Sequence, residues 1–454
     1  MGHGRVRSDR GWHVRGRGRT TWWRRGGRAA VVTAVLCAVA ALPGGIAAGS
    51  EPGTYAFAPD ALRITGAASP AAAPSLTPGR TYRSSLPRNG RLYYRLDLAT
   101  ATTTAYVPVT AVPPAHATVT ATDGIRVSVQ NASGSSCDNA SALFGAARSP
   151  RPVTALAERE PGRTLCPGAG TYYVRVERVD SGTADPAQPW DLEIKPVMEP
   201  RLTKTGSTTA PRAWDSASPE PLAGDPRDRT GGAGFVTAAP LGEGVWRTRI
   251  TPGRTLFYKV PVDWGRQVHA VAELDGSTSG HGYVGGALDL SLYNPVRGSV
   301  DDASLGYTGT RKSVALAPLP PVEYPNRYAV LSGESAMRFA GDYYLVVHLS
   351  EQMAGIFGQG PFEVTLRVRL DGQAHGGPEY AGRPVPDDVF TLTEQDREAA
   401  ATGGTGGTGG GDSAMKALAV GGIGAGTVLL LVLGVWTLAA RRAQTRVSAQ
   451  KPTA

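Results

Sequence analysis

Two stretches, GAGTYYVRVERV (168–179) and FAGDYYLVVHLS (339–350), decide the fold. In the first, Tyr172, Val174 and Val176 fall on one side, and Tyr173 and Arg175 on the other. Such a period of two in Tyr, Val and Leu marks a half-buried strand. Working outward, each stretch has the same companions in the same order. NGRLYYRLDL (89–98) and DGIRVSVQN (123–131) precede the first, and PWDLEIKP (189–196) follows it. PGRTLFYKVPV (252–262), GALDLSLYNP (286–295) and GPFEVTLRV (360–368) stand in those places around the second. Upstream, Tyr82-Arg83 in one set answers Trp246-Arg247 in the other. The pattern predicts a mostly β fold: one strand plan used twice, as two antiparallel β-sandwiches of jelly-roll-like type.

The order of a YYR/FYK strand, an LxLYxP-like strand, a GxYYxVxV strand and a closing strand resembles the bacterial pre-peptidase C-terminal (PPC) domain. That resemblance implies that Tyr172 and Tyr343 mark a core-facing position of a late strand. It also implies an accessory or adhesive module and no chemistry of its own. No peptidase motif accompanies the two copies. The layout also resembles that of actinobacterial single-pass surface proteins.

The ends carry topology signals. The formal charge of +9 is concentrated there: residues 1–48 hold nine Arg against Asp9, and Arg441, Arg442, Arg446 and Lys451 follow Ala440. The remainder is at −3, so the basic balance does not argue for nucleic acid. Residues 29–42 (AAVVTAVLCAVAAL) are apolar, follow an Arg-rich stretch and precede Ala47-Ala48-Gly49. This is the pattern of an export signal cleaved near Ala48. Residues 417–440 (ALAVGGIGAGTVLLLVLGVWTLAA) carry no charge, and 24 residues at about 1.5 Å each suffice to cross a membrane. The basic flank at 441–454 places the C-terminus in the cytoplasm and the sandwiches outside. Gly422 and Gly426 form a GxxxG that would let two such helices meet as a homodimer.

The expected division is a signal peptide (1–48), an N-terminal lead (49–77), a first sandwich (78–198), a Pro/Ser/Gly-rich linker (199–235), a second sandwich (236–370), a Gly/Thr-rich stalk (371–416), the membrane helix (417–440) and a basic tail (441–454).

Once Cys37 leaves with the signal, Cys137 and Cys166 remain, which in an exported protein suggests one disulfide stapling the loop 138–165. No metal spacing, nucleophile motif or phosphate loop is present, and no cofactor is expected. Asp301 and Asp302, read as adjacent loop acids, are weak calcium candidates that solvated loop carboxylates explain as well. Tyr93, Tyr173 and Tyr344 should face away from the cores, as a platform for a ligand, packed against a neighbouring domain, or cross-paired within the sheet. The expected function is a non-enzymatic, membrane-anchored extracellular module that binds cell-wall polymer or another envelope protein. An anchored hydrolase with an unrecognised site and a passive spacer are the alternatives.

Overall fold

The computed structural model describes residues 55–403, except Asn89, Arg163, 181–187, Arg212 and Pro221. The export signal, the 417–440 helix with Gly422 and Gly426, and the tail lie outside the described residues. Among those residues, no helix is long and apolar enough to cross a membrane.

The first copy is built from β1 (Leu62–Arg63), β2 (Tyr82–Leu86), β3 (Arg91–Leu98), β4 (Thr104–Val112), β5 (Gly124–Gln130), β6 (Ser136–Leu143), β7 (Val153–Arg159), β8 (Gly170–Val179), β9 (Trp190–Ile194) and β10 (Val197–Glu199). One sheet runs β1-β2-β9-β4-β7, with β10 continuing β9 along β4, and the other runs β3-β8-β5-β6. The second copy comprises β11 (Arg227–Asp228), β12 (Ala239–Pro240), β13 (Gly244–Ile250), β14 (Thr255–Val262), β15 (Gln267–Leu274), β16 (Val284–Tyr293), β17 (Ser299–Tyr307), β18 (Lys312–Ala315), β19 (Gly341–Leu349) and β20 (Phe362–Asp371). Its sheets run β11-β13-β20-β15-β18 and β12-β14-β19-β16-β17. Counting from β2 and from β13, both copies have order 1-8-3-6 in one sheet and 2-7-4-5 in the other. That is the jelly-roll topology.

The quoted stretches occupy equivalent strands, and the register agrees: Leu98 pairs with Gly170, and Val262 with Gly341. The leading pairs agree too. Leu62 meets Tyr82 in a parallel bridge, and Arg227 meets Trp246 in another. Tyr172 and Tyr343 are buried in their respective cores. The Tyr343 hydroxyl donates to Phe339 O at 2.9 Å, and that of Tyr172 to Gly168 O at 2.6 Å. Each ring therefore fills the sandwich while its polar tip is satisfied at the entrance to the strand.

Three segments without periodicity depart from the expected division. The lead supplies β1, and Ala67 bridges Tyr93 at the edge of β3. The linker holds β11, and its residues 215–222 cross the outer face of the β13-β20-β15 sheet. There Gln267, Arg369 and Arg367 donate to the carbonyls of Asp215, Glu220 and Leu222 at 2.8, 2.9 and 2.6 Å. Residues 372–403, expected to be stalk, are instead fastened to both copies. Val385 bridges Met198, Tyr380 bridges Leu202, and Phe390 stacks on Phe339 with centroids 4.8 Å apart. The helix Glu394–Thr402 is capped by Thr393 and tied by Arg397 to Asp263 at 2.7 Å. Side chains reaching backbone carbonyls hold these segments, and such contacts leave no repeating sequence signal.

A disulfide joins Cys137 in β6 to Cys166 before β8, with Cα atoms 5.6 Å apart. The segment it closes is not a plain loop, for it contains most of β6 and all of β7.

Candidate functional site

Four outer sheet faces are available in a pair of jelly rolls, and two of them are spent on each other. The outer side of β9-β4-β7 packs against the outer side of β14-β19-β16 and its loops. Apolar side chains account for part of this contact. Phe235 stands edge-on to Phe257, Tyr293 and Tyr344, Tyr55 packs on Phe257, and Tyr106 packs on Phe339. Two glycines set the approach. A Cβ on Gly234 would lie 2.3 Å from Ala56 O. One on Gly286, whose φ is +59°, would lie 2.8 Å from Ala147 N.

Charge is buried in the same contact. Glu193 of β9 has no exposed surface; it accepts Arg297 Nη1 at 2.6 Å, the Tyr55 hydroxyl at 3.0 Å and Ala58 N–H at 3.0 Å. Glu199 accepts the hydroxyls of Tyr106 and Tyr380 and the Arg327 guanidinium at 2.8 Å. Glu158 pairs with Arg338. In these three sets the carboxylate comes from the first copy and the guanidinium from the second, so their charges are matched across the boundary. Burial raises the Glu158 carboxyl, opposed by Arg338.

Beside these pairs, Thr255 Oγ1 and Ser149 Oγ lie 2.9 Å from His348 Nδ1 and Nε2 respectively. Ser149 Oγ also accepts Glu351 N–H, leaving its proton for Nε2. Burial, with Arg151 nearby, holds the His348 pKa well below the usual range, so the imidazole is neutral. Ser149 and His348 are both buried, and this pair is a joint in the contact with no surface for a substrate. Asp289 faces Arg151 at 3.7 Å, and burial pushes its carboxyl up to about 6.

A third face, on β13-β20-β15, is crossed by 215–222. The fourth, the outer side of β3-β8-β5-β6, is crossed by no segment among the described residues. Its register lays out rows: Arg91, Glu177, Arg126 and Ser141; then Tyr93, Arg175, Ser128 and Asn139; then Arg95, Tyr173, Gln130 and Ser136. Arg91 Nε reaches Glu177 at 2.7 Å, Arg95 Nε reaches Asp97 at 3.0 Å, and Arg175 also pairs with Glu177. These pairs lower the Glu177 carboxyl against its partial burial. Arg91, Arg95, Arg126, Asp97 and Thr171 bond to partners within the sheet or to Ser75 at its edge.

The candidate aromatics separate accordingly. Tyr173 is half-buried, with part of its surface open on this face. Tyr93 lies on the same face but is only 9% exposed, its flank covered by the Ala67 bridge and by Arg91. Tyr344 is not a platform, because it lies in the cluster around Phe235, where burial raises its hydroxyl pKa. Asp301 and Asp302 are in β17 and not in a loop. Successive strand residues point to opposite faces, so the two do not converge on one ion. Asp301 accepts Ala317 N–H at 2.7 Å instead. Among the described residues, no group of three or more His, Cys, Asp or Glu is placed to hold a metal ion.

No family model and no curated protein matches the chain. Among solved structures it is similar to the tandem CBM22-1–CBM22-2 region of Paenibacillus barcinonensis Xyn10C, at 11% identity and TM-score 0.18, over 62% of this chain and 83% of that one. It is also similar to the CUB1-EGF-CUB2 region of human MASP-1/3, at 7% identity and TM-score 0.16, over 64% and 99%. A third similarity is to the T13 IBDV viral particle, at 12% identity and TM-score 0.18, over 69% and 75%.

Proposed function

We propose that this chain is a non-enzymatic, membrane-anchored binding module of the bacterial envelope, held outside the cell by the 417–440 segment with its C-terminus in the cytoplasm. Its two PPC-like jelly rolls act as one rigid body that presents the outer face of β3-β8-β5-β6 to cell-wall polymer. The supporting observation is how the two copies use equivalent faces. In the second copy this face is buried against the first, with Phe257, Tyr344 and Val346 among its outer side chains; in the first it is polar, carries Tyr173 and is crossed by nothing among the described residues. A half-buried aromatic among guanidinium, amide and hydroxyl groups suits a polyhydroxylated ligand. The 417–440 helix pairs through Gly422 and Gly426, which would double the valency of the face.

The test is capture of the full-length protein on purified wall material, with protease shaving of intact cells to place the jelly rolls. Capture that weakens on Tyr173→Ala, with the ectodomain shaved from outside, supports the reading. A protein that sediments no more with wall than without it, or that is protected from external protease, refutes it.

A further inference from the structure

The open face and its counterpart in the second copy can be compared position by position, because the strand registers match. Where the second copy has Val346, Asp289 and Thr255, the first has Arg175, Arg126 and Arg91. Arg95 corresponds to Lys259, which is buried and paired with Asp342 at 2.8 Å. The open face thus holds four guanidiniums against the carboxylates of Asp97 and Glu177. The chain between its basic ends is mildly acidic, so this basic balance is local to the face.

The arginines are also oriented. Arg95 uses Nε on Asp97, and Arg126 uses Nε on Ser141 Oγ at 3.4 Å. Among the described residues, their terminal nitrogens have no acceptor. That leaves the two-pronged edge of each guanidinium free, the edge that takes a carboxylate or phosphate through paired hydrogen bonds. Arg95 pairs with Tyr173, and Arg126 with Glu177, four residues apart along β8 and one strand to either side of it. With strands about 4.8 Å apart and about 3.4 Å per residue, the two arginines are about 17 Å apart across the sheet. Arg175 lies midway between them, and Tyr173 lies beside Arg95, about 4 Å off the connecting line. A single small molecule does not reach both ends, whereas an extended polymer does.

Resting on the binding role proposed above, we propose that the ligand is a polyanionic glycan, laid diagonally across the face from Arg95 over Tyr173 and Arg175 to Arg126. Its acidic groups take the free edges of the arginines and a sugar ring lies on Tyr173. Asp97 and Glu177, interleaved with the arginines, repel a densely charged phosphodiester backbone. They favour a chain whose charges are spaced by sugar rings.

The experiment measures binding of the full-length protein, in detergent, to polygalacturonate, to a glycerol-phosphate polymer, to neutral dextran and to duplex DNA at matched ionic strength. The expected result is binding to polygalacturonate and not to dextran, weakened about tenfold or more in Arg95→Ala/Arg126→Ala. Binding should be partly kept in Arg95→Lys/Arg126→Lys, which retains charge without the fork and checks that the surface still folds. Polygalacturonate should bind more tightly than the glycerol-phosphate polymer, a phosphodiester chain without sugar rings. Equal binding to dextran, no effect of the alanine pair, or binding of either phosphodiester polymer as tight as that of polygalacturonate overturns the inference. If wall capture persists while polymer charge and both arginines prove irrelevant, the binding role stands and only this ligand assignment fails.

Discussion

Replacing Arg297 by Ala should destabilise both jelly rolls together, because it unpairs a charge that has no route to water. Glu193 has no exposed surface, and Arg297 supplies its shortest bond at 2.6 Å. Removing one partner of a buried pair costs about 3–5 kcal/mol. Tyr55 and Ala58 still donate to the carboxylate, which puts the expected loss near the lower end, about 3 kcal/mol. The backbone adds an internal control. Arg297 has φ +59°, a left-handed conformation that disfavours any residue with a Cβ. Ala keeps that penalty and Gly relieves about 1 kcal/mol of it, so Arg297→Gly should lose only about 2 kcal/mol. The assay is guanidinium unfolding of the full chain, followed by tryptophan fluorescence. Trp190 reports on the first core and Trp246 on the second. The expected result is one transition, shifted in the order wild type, Gly, Ala. An Ala variant that loses less than about 1 kcal/mol, as an exposed pair would, refutes the reasoning. So does a Gly variant less stable than Ala.

Two further outcomes follow from the same contacts. Replacing Cys137 and Cys166 by Ser should lower stability by about 3–4 kcal/mol on the chain-entropy model, read as a lower denaturant midpoint with the wall-capture level unchanged at low denaturant. The Asp289 carboxyl, raised to about 6 by burial, holds its proton in the folded state at pH values where the unfolded chain has lost it. Its contribution therefore improves as pH falls from about 6 toward 4. His348 acts oppositely: its depressed pKa means that stability is lost as pH falls below about 6.5, where only the unfolded chain takes up the proton. Wild type and Asp289→Asn share the His348 effect. Unfolding measured on both across pH 4–7 should show wild type gaining on the variant as pH drops, and a constant gap would count against the assignment.

The strands were legible because each sandwich has a wet side and a dry side. Tyr172-Val174-Val176 against Tyr173-Arg175 shows it in the bare sequence. The contact between the copies was partly written there as well. Phe257 beside Tyr258, and Val346 between Leu345 and Val347, put apolar residues on both sides of one strand, as happens when both faces are buried. In the first copy the outer positions equivalent to Thr255, Lys259 and Val346 hold Arg91, Arg95 and Arg175, and that contrast marks which copy is covered. The partners were not legible: Glu193 and Arg297 are 104 residues apart and belong to different copies. Tyr93 followed the alternation correctly and is still covered, because an edge bridge from Ala67 has no pattern to read. Residues 372–403 look like a spacer by composition, yet Tyr380, Phe390 and Arg397 fix them to Glu199, Phe339 and Asp263, partners far away in sequence.

The most direct test of the binding face is hydroxyl-radical footprinting of the full-length protein with and without wall material. The second copy carries two built-in references, Tyr283 and Tyr328, which are 65% and 45% exposed. Saturating wall material should protect Tyr173 from oxidation and leave Tyr283 and Tyr328 unchanged. Oxidation of Tyr173 at an unaltered rate, with protection at either reference tyrosine, would contradict the account.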